Sequence, residues 1–181
     1  MALTFITGNP GKFSEAEAVL GMKLVQATLD LPELQDIDPF VVMQHKLAAA
    51  KAHGLFPCIV EDSSLVLACL ENKLPGPFIK WFEESLGIDG IVTLAEKYGD
   101  SRATGSTLVG YLDEEGYTHV FDGQLEGEIV PARGDQDFGY GPIFKPLGSE
   151  KTFGEMSREE KYAVSSRGIA FKKLKQHLER A

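Results

Sequence analysis

Three groups of residues could do chemistry. The first is Thr7, Gly8, Asn9, Pro10, Gly11 and Lys12, which follow a short apolar run and precede Phe13, Ala16, Val19 and Leu20 at helical spacing. This predicts a strand–turn–helix junction with Asn9 as N-cap and Pro10 in the first turn. Gly8 and Gly11 allow a ligand close to the backbone. Exposed N–H groups at a helix start, with a lysine beside them, suit phosphate. A plain capped turn would use the same residues. The stretch is not a P-loop, because Ile6 stands where the first glycine belongs and Phe13 where the magnesium-binding hydroxyl belongs.

The second group is Glu61, Asp62, Ser63 and Ser64, which follow the apolar residues 57–60. Four consecutive apolar residues predict a strand buried on both faces, with the two carboxylates at its end. Buried charge is costly unless it reaches solvent, pairs with a cation or binds a metal. An acidic loop over 30–36, containing Glu33, closes the preceding strand. In α/β sheets the strand ends form the ligand crevice. The third group is cationic: Lys12, Lys46, Lys80, Lys161 and Arg167 recur near loop–helix junctions. Carboxylates, a divalent ion and Lys/Arg together equip a site to cleave or transfer a phosphoryl or nucleotidyl group. The residues alone reach as far as metal-dependent chemistry on a phosphorylated small molecule.

The elements that must position these groups follow from patterning. Residues 23–29 read as a second strand and 39–53 as a helix stopped by Gly54. Residues 74–82 read as a turn entering a helix, and 89–98 as another helix. Segments 103–112 and 117–130 predict a long hairpin. Residues 131–146 lack periodicity, and a loop this long is usually functional. Its Phe138, Tyr140 and Phe144 are suited either to stack on a flat ring or to plug the core. Ser157 to Glu160 is a capping box opening a short helix. Residues 165–168 break it, and a final helix runs to about Leu178. The fold class is α/β, over one domain spanning 1–181 without a linker.

At 181 residues the chain can bury a sizeable core. Its net charge of −9 argues against nonspecific nucleic-acid binding, which needs a basic face. No apolar run reaches the length of a membrane span, and no signal segment opens the chain, so the expectation is a cytoplasmic protein without membrane partners. Cys58 and Cys69 lie in apolar runs and read as buried free thiols. The four histidines are scattered, each read as a surface or helix-end residue, and disfavour a transition-metal centre.

Six motifs in order, over nearly the whole chain, resemble the inosine triphosphate pyrophosphatase family. They are Thr7-Gly8-Asn9 with Lys12, Leu31-Pro32-Glu33, Glu61-Asp62-Ser63, the run Leu74 to Phe82, Gln136-Asp137-Phe138-Gly139-Tyr140, and Glu160-Lys161 with Ser165 to Arg167. The resemblance implies a long twisted mixed sheet with two α/β lobes, a central substrate cleft and a homodimer. It implies attack of water on the α-phosphorus of ITP, dITP or XTP, releasing the monophosphate and pyrophosphate. It implies that Glu33 and Glu61 bind Mg²⁺ (or Mn²⁺ in its place) and that Asp62 orients or deprotonates the water. Thr7, Gly8, Asn9 and Lys12 would hold phosphates. Lys80 and Lys46, or His45 if the register slips by one, would add positive charge. Phe138, Gly139, Tyr140, Gly141, Lys161, Ser166 and Arg167 would surround the base, with Lys161 or Arg167 donating to its carbonyl.

Three positions depart from the family pattern: Gly141 where Asp is usual, Ser166 where His is usual, and Ser64 where Gly is usual. The first two lie at the base or its loop. The expectation is that the chemistry survives and base selectivity is altered. A pyrophosphatase with another base preference and a catalytically weak nucleotide-binding protein therefore stay open.

Overall fold

The computed structural model describes residues 2–32 and 34–180. Strand β1 (Thr4–Ile6) leads through Asn9 into helix α1 (Pro10–Leu20), and β2 (Val25–Ala27) follows. Next come α2 (Pro39–Ala52), β3 (Cys58–Leu67), the short β4 (Pro75–Gly76) and α3 (Ile79–Tyr98). The hairpin β5 (Arg102–Leu112) and β6 (Thr118–Ile129) precedes β7 (Phe144–Pro146), α4 (Arg158–Val164) and α5 (Ser166–Leu178). The strands form one mixed sheet in the order β2-β1-β3-β5-β6-β7, with β4 on β3. β1 is parallel to both neighbours, whereas β3, β5, β6 and β7 are antiparallel.

The pleat of β3 distributes three cores. Alternate residues of a strand face opposite sides. Ile59 packs with Phe5, Ala16, Val109, Phe171 and Leu174 under α1 and α5. Cys58 and Val60 pack with Met43, Leu47 and Leu108 under α2 on the other side. Farther along, Leu65 and Leu67 join Ile91, Ala103, Ile143 and Phe144 under α3. Between these cores lies the segment Glu61 to Ser64.

Several expectations change. β3 runs unbroken through Glu61 and Asp62, which pair in register with Val109 and Leu108, so the carboxylates sit in mid-strand. The second strand is shorter than 23–29. The two helices expected over 74–98 are both present within α3, meeting at a kink at Gly87, whose φ of 68° and ψ of 169° are not helical. The break between the short and final helices falls at Ser165 alone, which caps α5 by accepting from the Gly168 N–H, so residues 166–168 already belong to the final helix. Phe144 is fully buried and stacks on Phe153, which assigns it to the core. His177 is a helix-end residue as expected, in the last turn of α5, whereas His119 lies on β6 with its half-buried ring 4.5 Å from that of His177. Cys58 is buried, Cys69 half-buried, and both are free thiols. Among the described residues no helix is long and apolar enough to cross a membrane.

Candidate active site

All the site residues expected from sequence except Glu33, which lies outside the described residues, line one cleft of about 530 Å³. At one end is the α1 entry. Thr7 Oγ1 accepts from the Asn9 N–H at 3.1 Å, and Asn9 Oδ1 accepts from the Lys12 N–H at 3.0 Å. These bonds fix the loop and leave the helix start facing the cleft, a ready anion site.

The middle of the cleft is the polar stretch of β3, Glu61 to Ser63. The pleat sends Glu61 toward α1 and α5 and Asp62 toward α2. Lys12 Nζ lies 2.6 Å from Glu61 Oε2, and Lys46 Nζ donates to Asp62 Oδ1 at 2.6 Å. Lys46 is buried and lines the cleft, whereas His45 is exposed. Glu61 Oε1 accepts from Ser63 Oγ at 2.6 Å and from Arg167 Nε at 3.3 Å. Burial alone would raise the Glu61 pKa, but the charges of Lys12 and Arg167 outweigh it and hold the carboxyl at about 2. Asp62 goes the other way: burial raises it, and Lys46 only partly offsets that. Adjacent carboxylates are thus tuned apart, one locked as an anion and one with higher proton affinity.

The other end is built by the 131–146 loop with α4 and α5. Phe138 is 44 % exposed, with Lys161 Nζ 5.2 Å and Arg167 Cζ 5.9 Å from its ring centre. The ring lies so close to α1 that a Cβ on Gly11 would come within 2.6 Å of Phe138 Cε1, which explains a glycine in that helical turn. Gly139 adopts φ of 60° and suits its residue type. Tyr140 lines the cleft edge while its ring packs edge-on to Phe144 at 5.9 Å. Ser166 Oγ is buried 3.0 Å from Thr107 Oγ1. Lys80 is exposed at the rim, 5.8 Å from the Trp81 ring.

Two carboxylates in this end had no assigned role from sequence. Glu15, 1 % exposed, accepts from Ser165 Oγ at 2.6 Å and from Arg167 Nη1 at 2.8 Å. Asp137 accepts from Lys161 Nζ at 2.6 Å. Glu15 carries no local signal, since a glutamate in a helix is usually solvated. Asp137 had one, its place inside the Gln136 to Tyr140 motif.

The chain matches the Ham1 family model over residues 3–177. It belongs to the Ham1 family. It is similar to the inosine triphosphate pyrophosphatase of Puccinia graminis f. sp. tritici, 37 % identical with 99 % of this chain and 98 % of that protein covered. The inosine triphosphate pyrophosphatase of Candida glabrata is 39 % identical, with 97 % and 96 % covered. The solved HAM1 protein from Coxiella burnetii superposes with a TM-score of 0.81 at 27 % identity, covering all of both chains. The Ham1 fold therefore extends over the cleft and all three cores.

Proposed function

We propose that this Ham1 protein is a Mg²⁺-dependent nucleoside triphosphate pyrophosphatase that hydrolyses ITP, dITP and XTP to the monophosphate and pyrophosphate, as a cytoplasmic homodimer. The observation that carries this reading is one cleft joining a helix-start anion site, paired carboxylates and an exposed aromatic ring flanked by cations. The name shared by the Puccinia and Candida relatives supports it.

The phosphates would lie at Thr7, Gly8, Asn9 and Lys12, with Lys46 and Lys80 adding charge on the pyrophosphate side. Asp62 would take the proton of the attacking water, a role its raised proton affinity suits. The water oxygen bonds to the α-phosphorus while the α–β bridging oxygen leaves with pyrophosphate, so one water is consumed per turnover. The purine would lie on Phe138 beside Gly139, Tyr140 and Gly141, with Lys161, Ser166 and Arg167 around its edge.

The site fits a hard cation. Glu61 Oε2 is buried and faces the charge of Lys12 Nζ at 2.6 Å. Mg²⁺ takes one or two carboxylates plus substrate phosphates, so Glu61, with Glu33 by motif, makes a sufficient protein share. When bound, the ion supplies charge that polarises the phosphoryl oxygens.

The test is pyrophosphate release with Mg²⁺ across ITP, dITP, XTP, GTP, ATP, CTP and UTP, with and without EDTA. Strong release from the first three, little from ATP and loss with EDTA are expected. Tight nucleotide binding without release from any of them rejects the proposed reaction.

A further inference from the structure

Gly141 leaves a space that Asp137 fills. A Cβ built on Gly141 would overlap the Asp137 carboxylate and come within 2.5 Å of its Cγ. A side chain at 141 and the present seat of Asp137 therefore exclude one another. The Asp137 side chain is only 7 % exposed, and its charge is met by Lys161 Nζ at 2.6 Å. Glu15 Oε2 is 3.9 Å from the same ammonium, which leaves Asp137 as its short partner. Both groups line the cleft beside Phe138.

We propose that Asp137 is a specificity-determining residue, a carboxylate acceptor set beside the Lys161 donor to read the edge of the base. The proposal rests on the function proposed above for its choice of base site. An ammonium only donates and a carboxylate only accepts. Hypoxanthine presents a carbonyl next to a ring N–H, which matches Lys161 and Asp137 in that order. Adenine in the same seat presents an amino group to the ammonium and a bare nitrogen to the carboxylate, so both contacts fail. Sites built to pair polar groups reject analogues that leave them unpaired.

The test is calorimetric binding of IMP, AMP and pyrophosphate to the full chain and four variants. Hydrogen bonds to charged groups set the scale of a loss of about tenfold or more in IMP affinity for Asp137→Ala, with the IMP-over-AMP preference narrowed alike. Pyrophosphate affinity stays unchanged. Asp137→Asn keeps the shape, and it moves in the same direction if Asp137→Ala folds poorly. Gly141→Asp alone weakens IMP because two carboxylates compete for one space. Gly141 has no left-handed backbone to resist the change. Asp137→Ala with Gly141→Asp returns a single carboxylate to that space and regains most of the affinity. Equal IMP affinity in wild type and Asp137→Asn overturns the proposal. So does parallel weakening of IMP and pyrophosphate, a double variant no better than Asp137→Ala, or absence of IMP binding by wild type. ITP hydrolysis by wild type judges the reaction separately: no pyrophosphate release, with base-selective IMP binding that depends on Asp137, rejects the reaction and supports this assignment.

Discussion

Asp62 keeps its proton to a higher pH than an ordinary aspartate because it is buried, and Lys46 at 2.6 Å restores only part of the loss. A base of this kind works only when deprotonated. Activity on ITP should therefore fall as pH drops through a value above the ordinary 3.8. Asp62→Asn should lose roughly 10²- to 10⁴-fold in kcat, the usual weight of a general base. The pH–rate profile of wild type against the residual activity of the variant checks both, and an acid limb that survives in Asp62→Asn sinks the role. Ser166 is a separate matter at this scale. Its hydroxyl is buried 3.0 Å from Thr107 Oγ1. A histidine at 166 would have to displace that contact.

At the scale of elements, the site depends on how closely α5 lies on the sheet. Gly123 in β6 has the first turn of α5 directly over it, and a Cβ there would overlap Ser166 O and approach Ala170 N to 2.8 Å. Both obstacles are backbone, so the helix must move. Gly123→Ala should destabilise by about 1–3 kcal/mol, the typical cost of overpacking. It should also raise KM for ITP, because Ser166 and Arg167 ride on the displaced turn. Thermal unfolding and kinetics on the same sample check this; an unchanged melting temperature would count against it. The same close packing explains what sequence could and could not disclose. The α1 entry was legible because cap, proline and lysine are local signals, and Ser157 was legible as a capping box for the same reason. The continuity of β3 was hidden. Two adjacent carboxylates read as a strand end, and Lys12, Lys46 and Arg167, brought from three helices, make them tolerable in mid-strand. The break expected over Ser165 to Gly168 is confined to Ser165, which ends α4 and caps α5; two serines and a glycine resemble a longer turn. Glu15 was invisible, since its partners Ser165 and Arg167 stand about 150 residues away.

For the molecule as a whole, a buried chain of charges ties three elements together. Arg167 on α5 bonds Glu15 on α1 and Glu61 on β3. Burial would lower the Arg167 pKa, but Glu61 and Glu15 raise it instead, so the guanidinium stays charged. Glu61 titrates at about 2 when folded against 4.5 for the free side chain. Its folded pKa is depressed, so its contribution is complete above 4.5 and is lost as pH falls toward 2. That contribution is of order 3 kcal/mol. Urea unfolding between pH 6 and 2.5 should therefore show a steep acid loss in wild type and a flatter one in Glu61→Gln. Equal slopes would mean that other carboxylates govern acid unfolding.

Helix α1 holds Asn9 and Lys12 at its start and Glu15 less than two turns later, so one rigid rod grips both ends of the cleft. Six residues of helix span roughly 9 Å. The distance between the anion seat and the Arg167 anchor is thus cut to a fixed length, like the jaws of a caliper. A ligand that spans the cleft would meet groups held at both ends of it by one helix, so its reach would be gauged as well as its groups.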